Sequence, residues 1–421
     1  MGDGISRRDF IRYSLLTGGA VASPTLLQAC GGGSGSSTDT YKVGAVLELS
    51  GADSAGGQLA QRGYQFWVDT VNKNGGISVG GQKYKVKMIS QDCQSQPGVA
   101  ADVATRLVTE QSVDALFGSY TSGVQLAINP ISAKYQVPCI AGSAESPEIW
   151  RAKPQFAFGV IPSVDLTADE ALKLIVQNGS PAPTSAAVVG ANEPFSKDAA
   201  AGFAKGAREA GLQVTEDSLF PPTADLGPIV SSIASKNPDI VAVGGHDTIL
   251  INFAKACKAI NFQPKALIMH YGVTEPAFVD ALGGTAEGVC GLVDWTPDFP
   301  YKDNVFGTAQ QFAKDYKAKY GNEVDYTGAG CAVSGLVLQM ALEKLGKGPG
   351  LSQEDRVKLN DVIAKTDVDT FYGHIKFDSS GSHFHDNSAP PPLLVQIQDG
   401  AVVAVAPSSG AQGSLTYPRS V

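Results

Sequence analysis

From residue 42 onward, short runs rich in β-branched and apolar residues alternate with longer stretches whose apolar positions recur at helical spacing. The short runs predict strands over 42–49, 85–91, 115–117, 137–141 and 156–159, with helices over 58–74 and 97–111 between them and Gly75-Gly76 stopping the first helix. Such alternation is the mark of α/β layering around a parallel sheet. After Ile161-Pro162-Ser163 a second series begins, with strands over 185–189, 213–219, 240–244, 266–269 and 288–292 and helices over 165–178, 197–210, 226–237 and 249–260. Two further helices, 306–320 and 328–345, need a sheet to cover, and the first sheet is the nearest one lacking a second layer. The period then changes again: Ile375-Lys376-Phe377, a turn over 378–381, and runs over 393–398 and 401–405 around Asp399-Gly400 read as hairpins.

The pattern therefore predicts an α/β protein of two doubly wound, Rossmann-like lobes. Residues 41–161 plus 296–371 form lobe 1, and 162–295 plus 372–421 form lobe 2. The chain crosses between them near residues 161, 295 and 371, and a hinge of three segments lets two rigid lobes close like jaws.

The first 29 residues read as an address. Ser6-Arg7-Arg8-Asp9-Phe10-Ile11-Arg12 precedes a weakly apolar stretch interrupted by Gly18, Gly19, Ser23 and Pro24. That stretch falls short of the roughly 20 apolar residues of a spanning helix and has the form of a twin-arginine export signal. It ends in Leu27-Gln28-Ala29-Cys30, which resembles a bacterial lipobox. Cys30 would then become the lipidated N-terminus, each buried methylene contributing about 0.8 kcal/mol of membrane affinity; the alternative is a buried core cysteine. Residues 30–40, rich in Gly and Ser, would be a flexible tether.

A formal charge of −9 and a pI near 5.1, with no basic run outside the signal, argue against nucleic acid as a partner. Besides Cys30 there are Cys93, Cys139, Cys257, Cys290 and Cys331, with no CxxC pair; a disulfide is open to an exported chain, but its connectivity is not legible. An enzyme is disfavoured: no G-x-S-x-G elbow, P-loop, H-E-x-x-H or dinucleotide fingerprint stands at the right place. His374, His383 and His385 with Asp386 read as a solvated loop ahead of a metal site, so neither metal nor cofactor is expected.

Val43-Gly44-Ala45-Val46 with Leu49-Ser50-Gly51, Ala60 to Gly63, Asn74-Gly75-Gly76-Ile77 and Gln91-Asp92-Cys93 resemble the leucine/isoleucine/valine-binding proteins. Gly118 to Ser122, Ser146-Pro147-Glu148, Gly244-Gly245, Ala286-Glu287-Gly288 and Phe377-Asp378 continue the match through nearly the whole body. Each motif is weak alone; their order is specific. The resemblance implies a type I periplasmic binding protein fold, with a small solute trapped between the lobes and handed by a monomeric receptor to an inner-membrane ABC permease and its ATPase. A ligand-sensing receptor that signals to a kinase uses the same fold and stays open.

Ligands of open α/β sheets sit beyond the carboxyl ends of the strands, so the loops there carry the candidates. Residues 119–123 offer backbone N–H groups and the Ser122 hydroxyl ahead of a helix from about Val124, an arrangement for an anion; Thr121 or Ser122 could equally cap that helix. Tyr120 lies in the same loop. By resemblance the ligand carboxylate binds here, and Ser143 and Ala144 contact its amino and carboxylate groups. Glu145 either meets a cation on the ligand or lies solvated at the rim. Phe195 would cover the ligand's side chain, and His246, followed by Asp247, takes a family aromatic position unless it is a solvated loop histidine.

The departure falls at His270 and Tyr271, where the family's amino-acid binders carry a glutamate for the ammonium. Either Asp247 or Glu145 replaces it, or the ligand has no ammonium, because an unpaired buried ammonium costs several kcal/mol. Gly56 stands where a pocket-lining tryptophan can occur in the family, which predicts an enlarged cavity ringed by Tyr120, Trp150, Phe195, His246, Tyr271 and Trp295. Aromatic or hydroxy acids are then expected beside branched-chain amino acids and amides, with Trp150 instead a core residue on its following helix.

Overall fold

The computed structural model describes residues 40–389 and 392–419, so the signal, Cys30 and the tether lie outside the described residues. The described residues form one compact unit. Its strands, in chain order, are β1 Thr40–Leu47, β2 Ile77–Val79, β3 Gln82–Asp92, β4 Ala115–Phe117, β5 Cys139–Ala141, β6 Ala157–Gly159, β7 Ser185–Ala191, β8 Gln213–Phe220, β9 Ile240–Gly244, β10 Ala266–His270 and β11 Val289–Val293. Short hairpins follow, β12 Lys302–Asp303 with β13 Gly307–Thr308 and β14 Asp367–Thr370 with β15 Gly373–Lys376, and the chain closes with β16 Leu393–Gln398 and β17 Ala401–Ala406.

The helices are α1 Ser54–Lys73, α2 Pro97–Thr109, α3 Ser122–Tyr135, α4 Pro147–Arg151, α5 Ala168–Asn178, α6 Pro194–Glu209, α7 Leu226–Ser235, α8 Asp247–Ala259, α9 Pro276–Leu282, α10 Ala309–Tyr320, α11 Tyr326–Leu345 and α12 Gln353–Ile363. None among the described residues is long and apolar enough to cross a membrane.

Two sheets organise the body. The first runs β2-β3-β1-β4-β5-β6 and the second β17-β16-β11-β10-β9-β7-β8, with the central strands parallel in each. The central strands are buried on both faces, as helices on both sides of a parallel sheet require. One apolar core runs under the inner layers of both lobes, and a separate cluster lies behind each sheet. α11, which is buried nearly all round, packs on α1 and on β5, so the chain returns to the first lobe after β11.

Several helices start earlier than the apolar period suggests, because their capping residues precede the first apolar position. Glu193 accepts the N–H groups of Phe195 and Ser196, which puts Phe195 in the first turn of α6 and not in a loop. Asp247 opens α8, and Asp325 caps α11 by accepting the N–H groups of Thr327 and Gly328.

The third crossing also falls later than residue 371. Asp386 and Asn387 still pair with Gly159, and the ring of His385 stacks on Phe158 of the first sheet at 4.3 Å. The crossing therefore comes after Asn387, and Asp386, which accepts the Ser163 N–H and hydroxyl, ties this stretch to the first crossing. His385 is buried, not a solvated loop residue, and burial lowers its pKa to about 4.

Candidate functional site

The strands of the two sheets end at one cleft, and the loops beyond β4, β5, β9 and β10 face one another across it. Tyr120, Ser122, Ser143 and Glu145 of the first lobe and Phe195, His246 and Tyr271 of the second line a common cavity of about 10 Å³, space for roughly one water molecule. All seven were expected from the sequence. Ala144 is buried beside them, and Thr121, Asp247 and Gly56 form the layer behind.

Aromatic rings occupy the middle of the cleft. Tyr120 lies 5.1 Å from the His246 ring and 5.7 Å from Tyr271, while Phe195 stacks on His246 at 4.9 Å. The Tyr120 hydroxyl donates to Asp247 at 3.2 Å and lies 3.2 Å from His246 Nδ1, so this side chain bridges the lobes. The enlarged cavity expected at Gly56 is absent for the same reason. A Cβ on Gly56 would stand 2.1 Å from Tyr120 Cζ: the tyrosine ring fills the space that the missing side chain leaves. Trp150 is fully buried on α4, and Trp295 donates its indole N–H to the Phe371 carbonyl at 3.0 Å; neither lines the cavity.

The loop expected to hold a ligand carboxylate is differently employed. Glu48, one residue beyond β1 and fully buried, accepts the N–H of Tyr120 at 3.1 Å, the N–H of Thr121 at 2.9 Å and the Thr121 hydroxyl at 2.7 Å. The N–H of Ser119 is taken by Gln125. Thr121 caps α3 by accepting from the Val124 N–H, and Ser122 Oγ instead accepts the Ser146 N–H at 3.0 Å, joining the loop after β4 to that after β5. Burial raises the Glu48 pKa, against the pull of its three donors.

Glu145 does not lie at a solvated rim. It is 4 % exposed and receives the Tyr326 hydroxyl at 2.9 Å. Its other oxygen lies 3.4 Å from His270 Nε2 but in no hydrogen bond, and both of those atoms are left without one. Burial pushes the Glu145 carboxyl up to about 8, with Tyr326 and His246 acting the other way. Burial, reinforced by His246, holds the His270 ring near 3, so this pair is neutral at pH 7.

His246 is itself buried. Burial opposes its proton, but the carboxylates of Glu193, Asp53, Asp247 and Glu48 together raise its pKa.

Residues that the sequence reading passed over complete the site. Glu275, in the turn before α9, is 1 % exposed and lies within hydrogen-bonding reach of Asp247 and Tyr271; burial first, then Asp247 and Asp325, raise its pKa far above the ordinary range. The Tyr271 hydroxyl donates to Asp325 across the cleft. Glu275, Trp295, Asp325 and Tyr326 lie in the wall of a second cavity between the lobes, of about 490 Å³. At the rim, Ser146 donates to Asp198 at 2.5 Å and Lys197 pairs with Glu148 at 2.6 Å. Glu48 had a signal in sequence, a carboxylate at the end of an apolar strand, whereas Glu275 had none beyond its place ahead of Pro276.

Two α/β lobes that close over a shared, ring-lined cavity define a solute receptor. The periplasmic binding protein family model matches residues 40–400, and the chain belongs to that family. A Leu/Ile/Val-binding protein homolog 8 from Brucella abortus is 23 % identical over 393 residues, covering 90 % of this chain and 93 % of the relative. Among solved structures, a leucine-binding protein LivK from Thermotoga maritima is similar at a TM-score of 0.74 and 21 % identity, covering 87 % of this chain and 98 % of that one. A solute-binding protein of an ABC transporter from Rhodopseudomonas palustris, in complex with 3,4-dihydroxybenzoic acid, is similar at 0.74 and 19 %, covering 90 % and 99 %. The relatives named are solute-binding proteins, and the fold they share is the one this chain adopts.

Proposed function

We propose that the chain is the extracytoplasmic, lipid-anchored substrate-binding subunit of an ABC importer, exported by the twin-arginine route, tethered at Cys30 and acting as a monomer that presents a small solute to an inner-membrane permease and its ATPase. Lobe 1, from residue 41, and lobe 2 close on the solute at Tyr120, Ser122, Ser143, Glu145, Phe195, His246 and Tyr271. The observation that carries this reading is the cavity shared by those seven residues, four from one lobe and three from the other. A site split between two bodies is formed only when they close, which couples occupancy to a shape that a permease can read.

Of the solutes expected from sequence, branched-chain amino acids, aromatic or hydroxy acids and amides, the geometry favours those that bring a nitrogen donor. Glu145 Oε2 is an acceptor without a donor, while the N–H groups of Tyr120 and Thr121 are engaged by Glu48. Thermal melting in the presence of branched-chain amino acids, benzoates, amides and amines tests the reading. A solute that binds only the folded chain stabilises it by about 2.7 kcal/mol at a hundredfold excess over Kd. At least one class is expected to raise the melting point; no shift from any of them would overturn the proposal.

A further inference from the structure

The cleft is lined by acids and lacks a base to meet them. Glu48, Glu145, Asp247, Glu275 and Asp325 are all buried, and neither the cavity at Tyr120 nor that at Trp295 has a lysine or arginine in its wall. Arg62 lines a third cavity, shared with Glu275 and Glu323, and there Glu323 pairs with Lys317. Burial holds the His270 ring low, and His246, whose pKa burial lowers but neighbouring carboxylates raise overall, already faces Glu193, Asp53, Asp247 and Glu48.

Two independent observations say what this excess is for. Glu48 places the chain's own carboxyl group against the N–H groups of Tyr120 and Thr121, so a ligand carboxylate arriving at that loop meets a like group and donors already in use. Glu145, nine-tenths buried and in the cavity wall, keeps an oxygen that has no hydrogen bond and lies 3.4 Å from His270 Nε2. Buried acceptors of this kind call for a donor, and a charged one is bound most strongly. Among the described residues no three acidic, histidine or cysteine side chains are gathered closely enough to hold a metal ion. Around Glu145 stand Tyr120, Phe195, His246 and Tyr271, whose rings suit the apolar stem of an organic cation and whose faces attract its charge.

We propose that the solute is a small organic amine that carries an ammonium group and no carboxylate. Glu145 receives the ammonium, Asp247 and Glu275 supply further negative charge behind Tyr120 and Tyr271, and the rings of Tyr120 and Phe195 flank the stem. The inference rests on the receptor reading above and narrows its substrate class.

Calorimetric titration of the purified full chain with matched pairs tests it: phenethylamine against phenylalanine and 3-methylbutylamine against leucine, with putrescine and benzoate added. Each matched pair differs by the carboxylate alone. An amine is expected to bind at least about 100-fold more tightly than its amino acid, a gap of roughly 2.7 kcal/mol. Binding should release protons, read by repeating the titration in buffers of different ionisation heat, because the carboxyl groups must ionise to meet the ammonium. Glu145→Gln should weaken the amine at least tenfold without lowering the unfolding midpoint of the ligand-free chain. Tight binding of leucine, phenylalanine or benzoate with none of the amines would overturn this inference and leave the receptor reading intact. Silence from every compound, in heat and in melting point, would count against both.

Discussion

Removing the Glu48 carboxylate should loosen the loop that carries Tyr120. In Glu48→Ala, the N–H groups of Tyr120 and Thr121 and the Thr121 hydroxyl lose acceptors at 3.1, 2.9 and 2.7 Å inside a region closed to solvent. Each buried donor left unsatisfied costs about 1–3 kcal/mol. Against the sum stands the relief of no longer burying a carboxyl whose pKa is raised by desolvation. The net expected loss is about 3 kcal/mol. Glu48→Gln keeps one acceptor oxygen for Thr121 but turns an amide nitrogen toward the Tyr120 N–H, and should cost about half as much. Urea unfolding at neutral pH measures both, with an unchanged m-value as the sign that only stability moved. In the same Ala variant the freed donors should improve binding of benzoate or leucine. A loss under about 0.5 kcal/mol, or a Gln variant as damaged as the Ala variant, would refute the role given to this carboxylate.

Gly56→Ala puts a methyl group where the Tyr120 ring stands. It should cost about 1–3 kcal/mol by overpacking and little once Tyr120→Ala has removed the ring, a coupling that a double-mutant cycle in urea will show. Because Glu145 sits near 8 in the fold against an ordinary 4.5, the folded chain holds an extra proton between those values. That stabilisation is full below about 4.5 and is lost as pH rises through about 8, so Glu145→Gln should gain stability relative to the parent as urea midpoints are measured from acid toward pH 8.5 or so. Cys93, Cys139, Cys257, Cys290 and Cys331 are free and buried, with burial raising the first four to about 12. They should resist a water-soluble thiol reagent in the native protein and all react in denaturant, as peptide mass mapping will show.

Most of the fold was legible because parallel central strands are apolar on both faces and the helices between them are not. The run 115–117 and the run 240–244 appear as strands with those very bounds. Short or weakly periodic pieces were not legible: β2 is three residues, α4 and α9 are single short helices begun by Pro147 and Pro276, and α12 has a mixed surface. In the site, strand order and the loops beyond it pointed to the seven cavity residues. What escaped was everything set by contact across sequence. The occupation of the loop after β4 by Glu48 depends on a residue 72 positions away, and the filling of the space at Gly56 depends on how Tyr120 turns. In the loop after β4, where the resemblance puts a ligand carboxylate, the Tyr120 and Thr121 N–H groups are taken by Glu48.

Ser143→Trp tests most directly whether the cavity between the lobes is the solute site. Ser143 is buried in the cavity wall, its hydroxyl 3.5 Å from that of Thr327, and an indole there would fill the space between the lobes. With circular dichroism confirming the folded lobes, the melting-point shift given by whichever solute stabilises the parent should disappear in this variant. An undiminished shift would place the solute elsewhere and contradict the account.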